Sequence, residues 1–375
     1  MGHYYLPLVL APGASWILEQ STEVLRRHAL IAFIIAAYSL SAVAVSAILG
    51  VSDQLGLSLY SQPLYMVFAA FAATFLIGHA VYVMVVLRPD QLTRTIIEDL
   101  RDNYLTAERL LPGVLIIVLL SPFTSAYTTF KVMIPLIQPY VWDPALAAFD
   151  RTLHGGVEPW LLLQPLLGHP WMTSALNFVY HLWFFVLFVV VLWQAFSLKE
   201  PKLRQQFFIV FLGSWILVGT FAATAFSSVG PVYYARVTGA SGGFEPLFAY
   251  LYEASQSMPV WALDVQSNLW NAYESGRAGI GSGISAMPSM HVSMAFLLAL
   301  FGWRKGPLLG IALSLFAGAI LLGSVHLGWH YAIDGYLAII LTWGIWWVAG
   351  KCLGSEGDNL AGSKSLIRTC ADNDP

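Results

Sequence analysis

Charged side chains are scarce in this chain of 375 residues. Asp, Glu, Lys and Arg make up 10% of it, whereas 58% of the residues are hydrophobic. This scarcity excludes a soluble globular domain, in which about a quarter of the residues are charged. The formal net charge of −3 shows no basic excess that would suit the phosphates of a nucleic acid. We therefore expect an integral membrane protein with no nucleic-acid partner.

Cysteine is nearly absent as well. Cys352 and Cys370 are the only two, and both follow the last long apolar stretch. Two cysteines in that position exclude a disulfide framework and a cysteine metal site. The first 25 residues contain no charged region that leads to a small-residue cleavage site, so we expect no cleaved signal peptide. No metal and no cofactor are expected.

What the sequence has in quantity is apolar windows long enough to cross a bilayer. A membrane helix needs about 20 mostly apolar residues. Eight windows qualify, at roughly 29–49, 64–87, 110–130, 173–196, 206–227, 287–303, 307–326 and 330–350. All should be helical, because lipid offers backbone groups no hydrogen-bond partners. The predicted fold class is an all-α polytopic membrane helix bundle with about eight transmembrane helices.

The distribution of Lys and Arg between the loops predicts the orientation of these spans. If the amino terminus is cytoplasmic, four of the 18 cationic side chains fall outside and 14 fall inside, as the positive-inside rule requires. The four outside are Lys131, Arg151, Arg236 and Arg277. We expect both termini in the cytoplasm.

Polar clusters gather at one face of this topology. They stand at the end of the third span, the exit of the fifth, and the beginnings of the sixth and the eighth: Lys131, Gly230-Pro231, Pro288 to His291, and His330 with Asp334. Ionisable groups in membrane segments are costly and mark functional sites. The sequence thus predicts an active site on the exoplasmic face, periplasmic or luminal, that receives a lipid headgroup from the outer leaflet.

The residue types indicate phosphoryl chemistry. His330 and Asp334 are four residues apart, which on a helix places them on one face. A carboxylate bonded to one imidazole nitrogen selects the tautomer and leaves the other nitrogen as a nucleophile. His291, from another helix, would then serve as general acid and later as general base. The pattern predicts a two-step transfer through a phosphohistidine, which requires no metal.

Three motifs connect these clusters: Lys131 followed, after six intervening residues, by Gln138-Pro139; Pro288-Ser289-Met290-His291; and Gly323-Ser324 leading to His330 and Asp334. In these three motifs, over roughly 130–350, the chain resembles the type 2 phosphatidic acid phosphatase superfamily. The patterns of that superfamily are Lys-x6-Arg-Pro, Pro-Ser-x-His and Ser-Arg-x5-His-x3-Asp. The resemblance implies that His330 is the nucleophile, that Asp334 orients it and that His291 is the acid/base. It also implies that Lys131 and Ser289 bind phosphate.

Both arginines of the superfamily pattern are missing from this sequence, since Gln138 and Ser324 stand in their places. Arginine grips phosphate through two parallel hydrogen bonds, so its loss weakens the hold on a dianionic monoester. A phosphodiester carries one negative charge and needs less. We therefore expect a phosphodiester donor, with Gln138, Ser324 and Arg236 completing the phosphate site, and His326 adding charge if protonated.

The sequence near these motifs resembles the inositol phosphorylceramide synthase-like branch, in Ser-Ala-Met-Pro-Ser-Met-His and in the loop 227–234. The favoured function is a membrane lipid phosphotransferase that moves a phospho-headgroup from a phospholipid donor to a lipid or water acceptor. A lipid phosphate or isoprenoid pyrophosphate phosphatase is the alternative, and a membrane transporter is a second one. Headgroup, acceptor and oligomeric state stay open.

The predicted organisation has three parts: a two-span extension with a cytoplasmic surface loop at 1–109, a six-helix catalytic membrane domain at 110–350, and a disordered cytoplasmic tail at 351–375. Residues 88–109 should form a surface helix, and 131–172 and 228–286 should form interfacial helices that roof the site. In the first of these roofing segments, Asp143, Asp150 and His154 either recognise a polyol headgroup or act as helix caps. Ser289 is also a candidate cap, and Lys131 a snorkelling lysine.

Overall fold

The computed structural model describes residues 22–276 and 279–371, with side chains through residue 354, and within these ranges the regular structure is helical throughout. The main helices are α1 Ala29–Ile48, α2 Ser61–Tyr82, α3 Leu92–Asp99, α4 Ala107–Ile137, α5 Asp143–Leu153, α6 Pro159–Leu167, α7 Pro170–Ala195, α8 Pro201–Ile216, α9 Tyr234–Thr238, α10 Glu245–Ser255, α11 Trp261–Glu274, α12 Met290–Lys305, α13 Pro307–His326 and α14 Ala332–Ala371. Wider π-helical turns extend α2 to Leu87 and α8 through Ala222. The all-α prediction is confirmed.

Seven helices of the described chain are long and apolar enough to cross a membrane: α1, α2 with its extension, α4, α7, α8 with its extension, α13, and α14 as far as Gly354. They confirm an integral membrane protein. The window predicted at 287–303 differs, because it forms only the 16 residues of α12. That is about 24 Å of helix, less than the roughly 30 Å of a hydrocarbon core. Ser289 caps the helix at its beginning and Gly306 ends it.

The short helix α12 lies inside the bundle. It runs antiparallel to α13, to which Gly306 joins it, and packs also against α14, α8 and α7. Met294, Leu297, Leu298 and Phe301 on α12 are completely buried. A helix that is apolar all round and enclosed by others needs no lipid contact of its own. The structure thereby places the beginning of α12, with His291, in the protein interior.

The amino-terminal helices pack on this core at a few points. Tyr38 of α1 lies against Phe123 and Phe130 of α4 and shares a hydrogen bond of 2.6 Å with Thr220. The helix expected within 88–109 is present as α3, and His79 of α2 lies 3.1 Å from its last residue, Asp99. The membrane-surface position of α3 stays a prediction.

The segments expected to roof the site are helical, as α5 and α6 in 131–172 and as α9, α10 and α11 in 228–286. Within the segment predicted as a disordered tail, 351–375, the structure continues α14 to Ala371. No proline interrupts the chain between Ala332 and Ala371, and extending an existing helix costs far less than starting one. The predictions for the first 21 residues and for Arg277 lie outside the described residues.

Candidate active site

His330 and Asp334 are paired at the beginning of the last helix. His330 Nδ1 lies 3.2 Å from Asp334 Oδ2, and the backbone N–H of Tyr331 donates to the same oxygen over 3.1 Å. Both side chains are buried. His330 precedes α14 rather than lying on it. The pair is therefore formed by a turn that the Asp334 carboxylate closes, and not by two residues on one helix face, as the spacing suggested. The imidazole is held through Nδ1, which leaves Nε2 for chemistry.

The second motif contacts the third directly. Ser289 N donates to Asp334 O over 3.1 Å, and Ser289 Oγ accepts the N–H of Val292, 3.4 Å away, as the cap of α12. The capping role that the sequence allowed for Ser289 is therefore present. The N-terminus of a capped helix also presents the positive end of the helix dipole and free N–H groups to an anion.

The ring of His291 lies against two aromatic residues of α7. It stacks on Tyr180, with 4.7 Å between ring centroids, and packs at 4.3 Å from Trp183. Trp183 Nε1 donates to the His291 carbonyl over 2.9 Å. This wall restricts the orientation of the imidazole, since two large rings pack directly against it.

Lys131 of α4 lies within electrostatic range of His291, as does His330. Gly283 makes room for it: a Cβ at position 283 would come within 2.9 Å of the Lys131 backbone and side chain. Among the side chains that the structure describes, no carboxylate pairs with Lys131. A half-buried ammonium group with no carboxylate beside it, in electrostatic range of the His291 imidazole, is suited to an anionic ligand.

The loop 227–233 contacts the backbone on the amino-terminal side of both histidine motifs. Ser228 accepts the N–H groups of Ala286 and Met287 at 3.0 and 3.1 Å, through its carbonyl and its hydroxyl, just before the second motif. Gly230 lies against the third motif, where a Cβ would be 2.6 Å from Trp329 O. Its φ of +78° is also one that favours glycine. The sequence marked this loop as a point of resemblance, but did not reveal that it sets the distance between the motifs.

Asp143, at the beginning of α5, holds this loop in place. Its carboxylate accepts the N–H groups of Val229 and Gly230, both at 2.9 Å, and the hydroxyl of Tyr331, also at 2.9 Å. The side chain is completely buried. Burial raises the pKa of Asp143 above its ordinary value, although the three donors oppose the shift. Its acceptor positions are occupied by the protein, which makes it a brace and not a headgroup ligand.

Asp150, two turns later on α5, caps the helix that carries Asp334. It accepts the N–H of Ala332 at 3.0 Å and that of Ile333 at 3.1 Å, two of the first N–H groups of α14 that have no partner within the helix. Burial raises the pKa of Asp150. His154 Nε2 lies 3.0 Å from the hydroxyl of Tyr336 on the same helix. Of the roles that the sequence left open, capping is found for Asp150, whereas Asp143 braces the loop 227–233.

The other predicted phosphate ligands have different contacts. The Ser324 hydroxyl donates to Leu321 O over 2.7 Å, while its carbonyl accepts the N–H groups of Trp329 and His330. Arg236 is exposed, 5.0 Å from the ring centroid of Trp270. Gln138 ends α4, about 10 Å along the chain axis from Lys131.

His326 is fully buried, and its Nε2 lies 2.9 Å from Thr173 Oγ1. Its contacts are therefore with Thr173 of α7 and Tyr250 of α10, and not with His291 or His330. Two of the predicted phosphate ligands lie near the catalytic candidates: Lys131 is in electrostatic range of His291, and Ser289 N donates to Asp334 O.

A family model described as PAP2 superfamily matches residues 144–348, just over half of the chain. The match includes Asp150, the loop 227–233 and both histidine motifs. Comparison with curated proteins and with solved structures gives no match. The chain belongs to the PAP2 superfamily and is an enzyme of its phosphatase and phosphotransferase type.

Proposed function

We propose that this enzyme is a lipid phosphotransferase, which moves a phosphorylated headgroup from a phospholipid donor to an acceptor alcohol through a phosphohistidine at His330. The observation that carries the proposal is the Asp334 carboxylate, which accepts from both His330 Nδ1 and Tyr331 N, while His291 lies in electrostatic range of both His330 and Lys131. The similarity of 227–234 and of the second motif to inositol phosphorylceramide synthases favours a phosphoinositol headgroup and a ceramide acceptor.

In the first step, His330 Nε2 attacks the phosphorus of the donor. The P–N bond forms as the bond between phosphorus and the diacylglycerol oxygen breaks, and His291 gives its proton to that oxygen. Asp334 stabilises the positive charge that develops on the His330 ring. Lys131 and the N–H groups at the beginning of α12 offset the charge on the phosphoryl oxygens.

In the second step, the hydroxyl of the acceptor attacks the phosphorus. His291, now neutral, takes the hydroxyl proton, the new P–O bond forms and the P–N bond breaks, so that both histidines return to their starting states. With ceramide as acceptor the product is a headgroup-bearing sphingolipid, and with water it is the free phosphorylated headgroup.

The preference for a diester donor is supported by the charges near the histidines. Lys131 lies in electrostatic range of His291, whereas Arg236 stacks on Trp270 and the Ser324 hydroxyl donates to a carbonyl of its own helix. One ammonium group and a helix terminus suit the single charge of a diester better than the two charges of a monoester. The surplus of Lys and Arg at the opposite end of the bundle supports an exoplasmic active site with both termini cytoplasmic.

A panel of phospholipids labelled in the headgroup tests the reaction. Purified protein in detergent, where no gradient exists, is incubated with phosphatidylinositol, phosphatidylcholine or phosphatidic acid, with and without ceramide, and every labelled product is identified. We expect label in the sphingolipid when ceramide is present. Rapid phosphate release from phosphatidic acid, with diester lipids untouched, would instead establish the phosphatase alternative. Absence of turnover on every lipid of the panel, with and without ceramide, would contradict the proposed phosphotransferase reaction.

Variants test the mechanism separately. Donor labelled at phosphorus should leave label on the protein that is lost in acid and kept in alkali, as a phosphoramidate is. His330→Ala should abolish both label and turnover, and His291→Ala should slow turnover by about 10²- to 10⁴-fold. His169→Ala is the matched control, because His169 is an exposed histidine preceding α7. Turnover retained by His330→Ala would overturn the mechanism.

A further inference from the structure

A cavity lies at the end of the bundle away from the histidines. It has a volume of about 390 Å³ and lies between the beginning of α8, the last turn of α12, and α14. Its polar lining is mainly basic, from Lys202, Arg304 and Lys351, and Trp346 and Trp347 form an aromatic wall.

Helix lengths separate this cavity from the active site. Arg304 stands 13 positions after His291 on α12, and Lys351 stands 17 positions after Asp334 on α14. At 1.5 Å per residue these are distances of about 20 and 25 Å along the two helices. A ligand in the cavity therefore does not touch the catalytic groups.

The three cations that line the cavity have no anionic partner among the described side chains. The acidic residue nearest to Lys202 along the chain, Glu200, pairs instead with Lys305, over 2.7 Å. Three positive charges around one space repel each other, so an anion bound between them would be stabilised by all three. The cavity thus has the electrostatics of a phosphate-binding site.

The wall of the cavity is held by a specific contact between two helices. Gln206 of α8 is buried and donates from Nε2 to Trp346 O of α14 over 2.9 Å. Gly350 permits this approach, since a Cβ at 350 would lie 2.8 Å from Gln206 Nε2. The space between the two helices is therefore set by packing and not by the flexible lysines at its rim.

The surroundings of the cavity identify the source of the anion as lipid. Ile340, Trp343 and Trp347 are spaced by three and four residues, so they share one face of α14, and each is more than half exposed. This apolar face runs from the cavity towards the middle of the bundle. We propose that the cavity binds the phosphate of an anionic phospholipid whose acyl chains lie along this face.

Native mass spectrometry of the detergent-solubilised full-length chain, titrated with dioleoylphosphatidylglycerol or dioleoylphosphatidylcholine, tests the proposal. The cavity variant is Lys202→Gln/Lys351→Gln. The matched control, Arg26→Gln/Lys199→Gln, removes two charges from the same end of the bundle outside the cavity and leaves Glu23 paired with Arg27. We expect phosphatidylglycerol to bind wild type and control alike, and the cavity variant roughly tenfold or more weakly.

Restoring the charge as Lys202→Arg/Lys351→Arg should restore binding, which distinguishes lost charge from lost fold. Equal weakening in the control, or no preference for phosphatidylglycerol over phosphatidylcholine, would overturn the proposal. Inorganic phosphate that displaces the lipid at equal concentration would assign the cavity to a soluble anion instead. Binding is measured rather than turnover, and every variant keeps Lys131 and the histidines, so the result does not depend on the proposed function.

Discussion

The hydroxyl of Tyr331 donates a buried hydrogen bond of 2.9 Å to the Asp143 carboxylate, 188 residues earlier in the chain. Tyr331 follows His330, and the same carboxylate holds Val229 and Gly230. The amphipathic helix α5 thereby ties the loop 227–233 to the backbone beside the catalytic candidate. Together with Asp150 at the beginning of α14, it makes the geometry of the site depend on a segment outside the membrane spans.

Asp143→Ala should destabilise the protein and lower its activity. The substitution leaves three buried donors, on Val229, Gly230 and Tyr331, without an acceptor, at about 1–3 kcal/mol for each. Thermal unfolding in detergent measures the first effect and lipid turnover the second. Asp264→Ala, which removes an exposed carboxylate from α11, is the control. Equal melting temperatures for the two variants would contradict the bracing role.

Gly230→Ala tests the contact between the loop and the third motif. The new Cβ would lie 2.6 Å from Trp329 O, a backbone atom that cannot move without His330, so we expect lower turnover as well as lower stability. Gly239→Ala is a close control, because Gly239 also has a positive φ, +68°, but has nothing within 4 Å of an added Cβ. Similar activities of the two variants would show that the close approach is unimportant.

Gly283→Ala should act through Lys131. An added Cβ would come 2.7 Å from the Lys131 backbone and 2.8 Å from its Cγ, and would displace the ammonium group from the histidines. We expect a loss of kcat/KM comparable with that of Lys131→Met. Gly281→Ala, with a φ of +76° and open space around its Cβ, should retain activity. If both glycine variants lose activity equally, backbone strain and not Lys131 is responsible.

The raised pKa of Asp150 predicts a pH-dependent stability. Its folded-state pKa exceeds the unfolded value of about 3.9, so the folded protein keeps a proton there that the unfolded chain has released. The stabilising contribution is complete below the unfolded pKa and is lost as the pH rises through the folded one. As the pH is raised through this range of pKa values, the melting temperature should decline less steeply for Asp150→Asn than for wild type. Parallel curves, with Asp264→Asn as reference, would contradict this assignment.

Hydropathy predicted the membrane helices because a span is a local property of about 20 consecutive residues. The window at 287–303 was predicted as a full span for the same reason: it is apolar, but Ser289 and Gly306 decide where the 16-residue helix α12 begins and ends. The pairing of His330 with Asp334 was also predictable, since the two are four residues apart. The turn that joins them could not be read from the spacing alone.

By itself, the sequence determined that this is a helical membrane protein with a histidine and a carboxylate held close together, because apolar windows and short spacings are properties of neighbouring residues. Only the tertiary structure decided that Asp143 and Asp150 brace the site and that Ser289 contacts Asp334. Those bonds join residues 45 to 188 positions apart, and a hydrogen bond over such a separation exists only once the helices have packed. The same packing gathers Lys202, Arg304 and Lys351 around one cavity at the other end of the bundle, where the chain order shows three unrelated cations.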